Sequence, residues 1–266
     1  MFQITIFFLY LIAAVAFALS RLPQHANRER ILSLVAFFLS TVAVVIHGRL
    51  LYIELFSGGG LTLTSAVSLI GLQLGLIALL GAFEVKLRGL SAGLLLLAAL
   101  TSLATGQSDA VTGTASLSWQ LRSHVLTSMF AYGLLTVGAI VALYALVQEN
   151  RLRHARLSAA NALFAPLETT EKLLNAVTTA GFTVLALSVI SGVTFIEDVF
   201  AQHLVHKTTL SLLALLVFGV LLAGRHFAGW RGKRAIYLYL LGFAILGFAY
   251  FGSRYILEEL LGRSWS

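Results

Sequence analysis

Eight long apolar segments constrain this 266-residue chain more than any other feature. A helix that crosses a lipid bilayer needs about 20 consecutive, mostly apolar residues. Segments of that kind recur along the whole chain, at roughly 2–20, 31–50, 67–83, 89–105, 124–147, 176–196, 206–223 and 235–253. They predict an all-α fold, a polytopic transmembrane helical bundle of about eight spans.

The composition excludes an ordinary soluble domain. Only 11% of the residues are charged and the mean hydropathy is +0.92, whereas about a quarter of a soluble domain is charged. The net charge of +7 is typical of nucleic-acid binding, but the basic residues lie in short turns between apolar segments. That placement follows the positive-inside rule. We therefore expect the protein to lie in a lipid bilayer and not to bind nucleic acid. Cysteine is absent, which excludes disulfides and thiolate ligands.

Lys and Arg are divided unevenly between alternate loops. Of the 18 Lys and Arg residues, 13 lie in loops 21–30, 84–88, 148–175 and 224–234, and five lie on the opposite side, whereas the 11 acidic residues divide five to six. A bias confined to Lys and Arg is what the positive-inside rule describes. We therefore expect those four loops to be cytoplasmic and both termini to be extracytoplasmic, in a bacterial inner-membrane protein.

Four of the seven histidines are predicted at the outer ends of spans two, five and seven: His47, His124, His203 and His206. An ionisable residue at the edge of a span is costly and indicates a functional site. A single interfacial histidine is also often a hydrogen-bonded boundary residue, and both interpretations stay open for each of the four.

Two ligands suit such histidines. Zinc takes imidazoles and carboxylates, and Glu54, Asp109, Glu197 and Asp198 are predicted on the same side. Haem iron takes one or two axial imidazoles in an apolar, aromatic pocket. Composition does not choose between them. The chain has no HExxH, GxSxG or Walker-type motif, so hydrolysis and nucleotide chemistry lack a signature and we expect no enzyme activity.

Several motifs occur in a characteristic order: Ser118-Trp-Gln-Leu-Arg-Ser-His124, Pro166-Leu-Glu-Thr-Thr-Glu171, Ala201-Gln-His-Leu-Val-His-Lys207, Gly229-Trp-Arg-Gly-Lys-Arg-Ala235 and Ala249-Tyr-Phe-Gly-Ser-Arg254. Together they resemble the CcsA-type cytochrome c assembly family, in particular its YpjD branch, over nearly the whole chain. The resemblance implies one integral-membrane domain over residues 1–266. It also implies haem binding for cytochrome c maturation, with haem-delivery or cytochrome assembly proteins as partners.

The resemblance also ranks the candidate site residues. His124 matches the family's histidine at the start of the equivalent span and is the first candidate haem ligand. His206 lies where the loop after the sixth span re-enters the membrane, and His47 is a candidate second ligand on membrane depth alone. The predicted rim that would meet the haem propionates consists of Arg254, Lys207 and Arg122.

One departure from the family pattern qualifies the function. The family presents haem in a tryptophan-rich extracytoplasmic loop between two histidines, whereas the corresponding loop Glu197–His203 contains no tryptophan. We therefore expect haem handling more firmly than cytochrome assembly. The alternative is a cofactor-free accessory or regulatory membrane subunit that acts through a protein partner.

The turn Gly229–Arg234 is densely basic. Its pattern is typical of a positive-inside stop after the seventh span. A second interpretation is contact with anionic head groups or with a carboxylated ligand.

Overall fold

The structure, a computed structural model, describes residues 2–56, 63–106, 119–153, 165–195 and 205–249. Eight α-helices lie in these ranges: α1 (Phe2–Ser20), α2 (Glu29–Phe56), α3 (Leu63–Gly81), α4 (Arg88–Ser102), α5 (Trp119–Arg153), α6 (Leu167–Phe195), α7 (Val205–Phe227) and α8 (Gly232–Gly247). No strand occurs in the same ranges. The predicted all-α fold is confirmed.

The eight helices correspond to the eight predicted spans. Seven of them, α1 to α7, are long and apolar enough to cross a membrane, with α4 counted together with the short 3-10 turn that precedes it. The eighth, α8, is described as an α-helix for 16 residues. The loop predicted at 84–88 contains a 3-10 turn at Val85–Leu87 between α3 and α4.

Helices α5 and α6 extend well beyond the spans predicted at 124–147 and 176–196. α5 has 35 residues, which corresponds to about 52 Å, and it therefore extends beyond a hydrocarbon core of about 30 Å. α6 begins at Leu167 and continues without a break to Phe195. The last part of the loop predicted at 148–175 is thus the start of α6, where the Pro166 carbonyl accepts hydrogen bonds from the N–H groups of Thr169 and Thr170.

The described residues cluster into two compact units. The first comprises residues 1–115 and 147–172, and the second comprises 116–146 and 173–266. Helices α1 to α4 therefore belong to the first unit, and most of α5 and α6 belongs with α7 and α8 to the second. The prediction of a single domain over residues 1–266 stays a prediction.

Helices α1 to α4 form a closed ring in the first unit. α1 packs against α2 and α4, and α3 packs against the same two helices. Glycine at position 75 of α3 leaves room for the Tyr10 side chain of α1, because a Cβ atom at Gly75 would lie 2.7 Å from Oη of Tyr10. A larger residue at Gly75 would therefore push the Tyr10 side chain out of its place.

A buried polar cluster joins all four segments of this ring. Nε2 of His47 in α2 lies 3.0 Å from Oγ of Ser68 in α3 and 3.2 Å from Oγ1 of Thr105, just after α4. Nδ1 of His47 lies 3.4 Å from Oη of Tyr10 in α1. These four residues, the His47 cluster, are all buried. Polar groups inside a membrane bundle must find partners within the protein, so the cluster stabilises this arrangement of helices.

Polar contacts also show which ends of these helices meet. Nη1 of Arg88 donates to Oε1 of Glu29 at 3.1 Å and joins the starts of α2 and α4. At the opposite end, the backbone N–H of Gly106 donates to Oε2 of Glu54 at 2.9 Å. Loops 21–30 and 84–88 therefore lie at one end of the unit, as their predicted shared membrane side requires.

The second unit is closed in the same way. Oη of Tyr239 in α8 donates to the backbone carbonyl of Leu135 in α5 at 2.8 Å. The Leu135 side chain contacts α6 at Gly181, where a Cβ atom would lie 2.7 Å from Cδ2 of Leu135. A Cβ atom at Gly219 of α7 would make ordinary contact with the ring of Phe182 in α6, at 3.5 Å, and α7 packs directly on α8.

The His47→Ala variant should destabilise the protein by about 1–3 kcal/mol, because the buried hydroxyls of Ser68 and Thr105 lose a partner. Thermal unfolding of the purified protein in detergent measures the change. Thr41→Ala is the matched control, since the Thr41 hydroxyl is exposed and bonds only to the Phe37 carbonyl of its own helix. Equal midpoints for the two variants would contradict a structural role for the cluster.

Single cysteines report the membrane orientation without background, because the natural chain has none. A Ser57→Cys variant should react with a membrane-impermeant maleimide in intact spheroplasts, since the α2–α3 loop is predicted outside. A Lys86→Cys variant should react only after the membrane is opened. The reverse labelling pattern would show that the positive-inside assignment is wrong.

Candidate functional site

Hydrogen bonds at α6 place a proton on Nδ1 of His124. Nδ1 of His124 in α5 lies 2.9 Å from Oγ of Ser191 in α6. The Ser191 hydroxyl donates its single hydrogen to the backbone carbonyl of Ser188 at 2.8 Å. Because a carbonyl can only accept, the imidazole must be the donor to Ser191, and its proton is on Nδ1. The neutral ring then carries its lone pair on Nε2, the form that binds a metal.

A second hydroxyl contact lies one turn along the same interface. Oγ of Ser128 donates to the His124 carbonyl at 2.8 Å and therefore accepts from Oγ of Ser188, 2.6 Å away. Gly192 leaves the space for the imidazole, since a Cβ atom there would lie 2.9 Å from Cε1 of His124. The ring of His124 is thus held against α6 in one orientation.

His124 opens onto a cavity of about 100 Å³ between α5, α6 and α7. Hydroxyl groups, an imidazole and one ammonium group meet there with apolar side chains. The lining includes Tyr132, Leu185, Val189, Lys207 and Ser211. Polar and cationic groups are costly in an apolar span and indicate function when they converge on one cavity.

The donors at this cavity fit one end of a haem. A neutral imidazole nitrogen is an axial ligand of iron, and an ammonium group pairs with a propionate carboxylate. Pockets for drug-sized ligands measure about 300–1,000 Å³, so the cavity is smaller than a whole haem. The described residues therefore provide a candidate axial ligand and a cation, and not the complete walls of a haem pocket.

The zinc alternative has no candidate in the part of the chain that the structure describes. No group of three or more His, Asp or Glu side chains in those ranges is arranged to hold a metal ion. The carboxylates Asp109, Glu197 and Asp198, considered from the sequence, lie outside the described residues.

The structure brings together two of the predicted site residues, His124 and Lys207. His47 belongs to the first unit and His124 to the second, and both ring nitrogens of His47 already have hydrogen-bond partners. Ligation of iron by His47 would break those bonds. The role of His47 as a ligand stays a prediction. His206 lies in the first turn of α7.

Other predicted positions lie outside the described residues. These are the side chains of His206 and Arg122, and the residues His203 and Arg254. Their assigned roles stay predictions.

Sequence reasoning assigned no role to the α6 residues that position His124. A signal was present, because Ser188 and Ser191 are three apart and Gly192 follows in an apolar span. Residues three apart lie on one helix face, so the two hydroxyls and the glycine face a single neighbouring helix.

Comparison with known proteins agrees with the motifs. Residues 3–261 match the Cytochrome C assembly protein family. The inner membrane protein YpjD of Escherichia coli K12 is 33% identical over 138 residues, and an uncharacterized 28.8 kDa protein of Azospirillum brasilense is 30% identical over 141 residues. The cytochrome c biogenesis protein CcsA of Guillardia theta is 26% identical over 162 residues.

These alignments are partial. They cover 52% of this chain and of the first two relatives, and 54% of this chain and of CcsA. The chain therefore spans about half the length of the curated relatives it matches. No solved structure matches it. The family match nevertheless covers nearly every residue and confirms the resemblance in the motifs: the chain belongs to the Cytochrome C assembly protein family, and its relatives place it with the CcsA-type proteins and their YpjD branch.

Proposed function

We propose that this protein handles haem as cargo in the inner membrane, with His124 as an axial ligand, and that it is not an enzyme. The observation that carries the proposal is the bond from Nδ1 of His124 to Ser191, which leaves Nε2 available at a cavity that also contains Lys207. Membership of a cytochrome c assembly family supports haem as the ligand.

The surroundings of His124 suit a site that releases its ligand. A carboxylate hydrogen-bonded to the second nitrogen of an imidazole raises the basicity of the ring and strengthens metal ligation. Here the acceptor is a neutral hydroxyl whose own hydrogen is committed to a backbone carbonyl. The ring is therefore oriented without being made strongly basic, which favours moderate affinity.

The other predicted residues keep their proposed roles around this ligand. Lys207 would pair with a propionate, and Arg254 and Arg122 would complete the cationic rim. His206 is the proposed candidate for a second axial position. His47 stays a prediction from the sequence, because both of its ring nitrogens are hydrogen-bonded within the first unit. Haem-delivery or cytochrome assembly proteins would supply or receive the haem.

The small cavity supports a second proposal, a cofactor-free accessory subunit. A volume of about 100 Å³ accommodates a few water molecules without a larger ligand. In that case the Glu197–His203 loop would contact a protein partner in place of haem.

The His124→Ala variant distinguishes the two proposals in a haem titration followed by visible absorption. The wild-type protein should develop a Soret band, and the variant should lose most of it because the axial nitrogen is gone. His226→Ala is the matched control, since His226 is exposed at the opposite end of α7 from Lys207. A wild-type protein without a Soret band would leave the accessory subunit as the better proposal.

Ser191→Ala should weaken haem binding by about 10- to 100-fold, the usual effect of removing a hydrogen-bond partner from a metal-binding histidine. The haem titration measures the dissociation constant, and thermal unfolding shows whether the fold is retained. Thr194→Ala on the same helix is the control, because its exposed hydroxyl bonds only to the Ile190 carbonyl. An affinity equal to that of the control would exclude a positioning role for Ser191.

A further inference from the structure

We propose that the turn between α7 and α8 binds the phosphate group of an anionic phospholipid. This basic turn comprises residues Arg225–Arg234. It follows the apolar segment Lys207–Phe227, which is long and apolar enough to cross a membrane. The turn therefore lies at the bilayer surface, at the level of the lipid head groups. The proposal is independent of haem binding.

The basic turn has a defined backbone. The carbonyl of Gly224 accepts hydrogen bonds from the N–H groups of Ala228 and Trp230 at 3.0 and 3.1 Å. Gly229 and Gly232 have φ angles of 63° and 60°, a region that side chains with a Cβ rarely adopt. The cations that follow Gly229 are consequently presented from a closed turn.

Aromatic packing fixes one of these cations further. The Trp230 indole packs directly on Gly224, where a Cβ atom could not be accommodated. The Arg234 guanidinium carbon lies 4.0 Å from the centre of the Trp230 ring. A guanidinium stacked on an aromatic face keeps its in-plane N–H groups for a second partner, and their geometry matches two oxygens of a phosphate.

The basic turn differs from the other basic loops because it lacks carboxylates. Loops 21–30, 84–88 and 148–175 all contain Glu, whereas the chain has no Asp or Glu between residues 199 and 257. Arg88 is paired with Glu29 at 3.1 Å, and Lys172 with Glu168 at 2.8 Å.

Three cations of the basic turn differ in this respect. Arg231, Lys233 and Arg234 have no ion pair with a carboxylate in the part of the chain that the structure describes. These three cations within four residues can therefore pair with an anion at the membrane surface. At the membrane surface that anion is a lipid phosphate.

An apolar side chain beside these cations selects a lipid over a dissolved ion. Phe227 is 85% exposed at the last residue of α7, and aromatic residues at the ends of spans lie at the head-group level. A ligand with both a phosphate and acyl chains satisfies the cations and Phe227 together, whereas inorganic phosphate satisfies only the cations.

The test compares the full-length protein in nanodiscs made from equal amounts of phosphatidylglycerol and phosphatidylcholine. Native mass spectrometry after release measures the ratio of the two lipids that stay bound. The wild type should retain phosphatidylglycerol preferentially. The triple variant Arg231→Gln/Lys233→Gln/Arg234→Gln should lower that preference by about tenfold.

The matched control removes the same charge from other loops, as Arg28→Gln/Arg30→Gln/Lys86→Gln. These three cations are exposed and lie in loops that contain Glu29 and Glu84. The control should keep the wild-type preference for phosphatidylglycerol. An equal loss in both triple variants would overturn the proposal, because it would show attraction by diffuse charge.

Two further outcomes would also overturn it. One is a wild-type protein without preference for phosphatidylglycerol. The other is displacement of the bound lipid by millimolar sn-glycerol 3-phosphate, which would indicate a site for a soluble phosphate. Thermal unfolding in pure phosphatidylcholine checks the fold. If the triple variant does not fold, Arg231→Gln alone and Phe227→Ser are measured, and an unchanged lipid ratio in both contradicts the proposal.

Discussion

The need of each buried polar side chain for a partner within the protein shapes this bundle. Hydrocarbon offers no water to an imidazole or a hydroxyl, and an unsatisfied group costs several kcal/mol. His47 meets this need with hydroxyls from three other segments of its unit. His124 meets it with Ser191 of the neighbouring helix. These bonds act together with the shape-specific contacts at Gly75 and Gly181 to specify which helices are adjacent.

The two histidines differ in how many of their ring nitrogens have a partner within the protein. This difference assigns a structural role to His47 and leaves His124 as the candidate ligand. Both nitrogens of His47 are engaged inside a closed ring of four helices, so the residue stabilises the ring. Only Nδ1 of His124 is engaged by α6, while the ring also borders a cavity with Lys207. The same residue type at the edge of two spans thus supports different roles, because the number and placement of nearby hydroxyls differ.

Helix α7 connects the two surfaces for which we propose ligands. Its first turn carries Lys207 at the His124 cavity, and its last turn carries Arg225 in the basic turn. The His124 cavity and the basic turn therefore lie at opposite ends of one helix of the second unit.

The approximate number of helices, the all-α fold and the family follow from the sequence alone, because apolar length and motif order are local properties of the chain. The histidines at the ends of spans were also predictable, and so was the density of cations after α7. The sequence could not decide which nitrogen of His124 carries the proton, or that His47 is saturated. Those properties depend on which hydroxyl groups of a neighbouring helix lie beside each imidazole. The packing of the helices decides this, because it places Ser68 next to His47 and Ser191 next to His124.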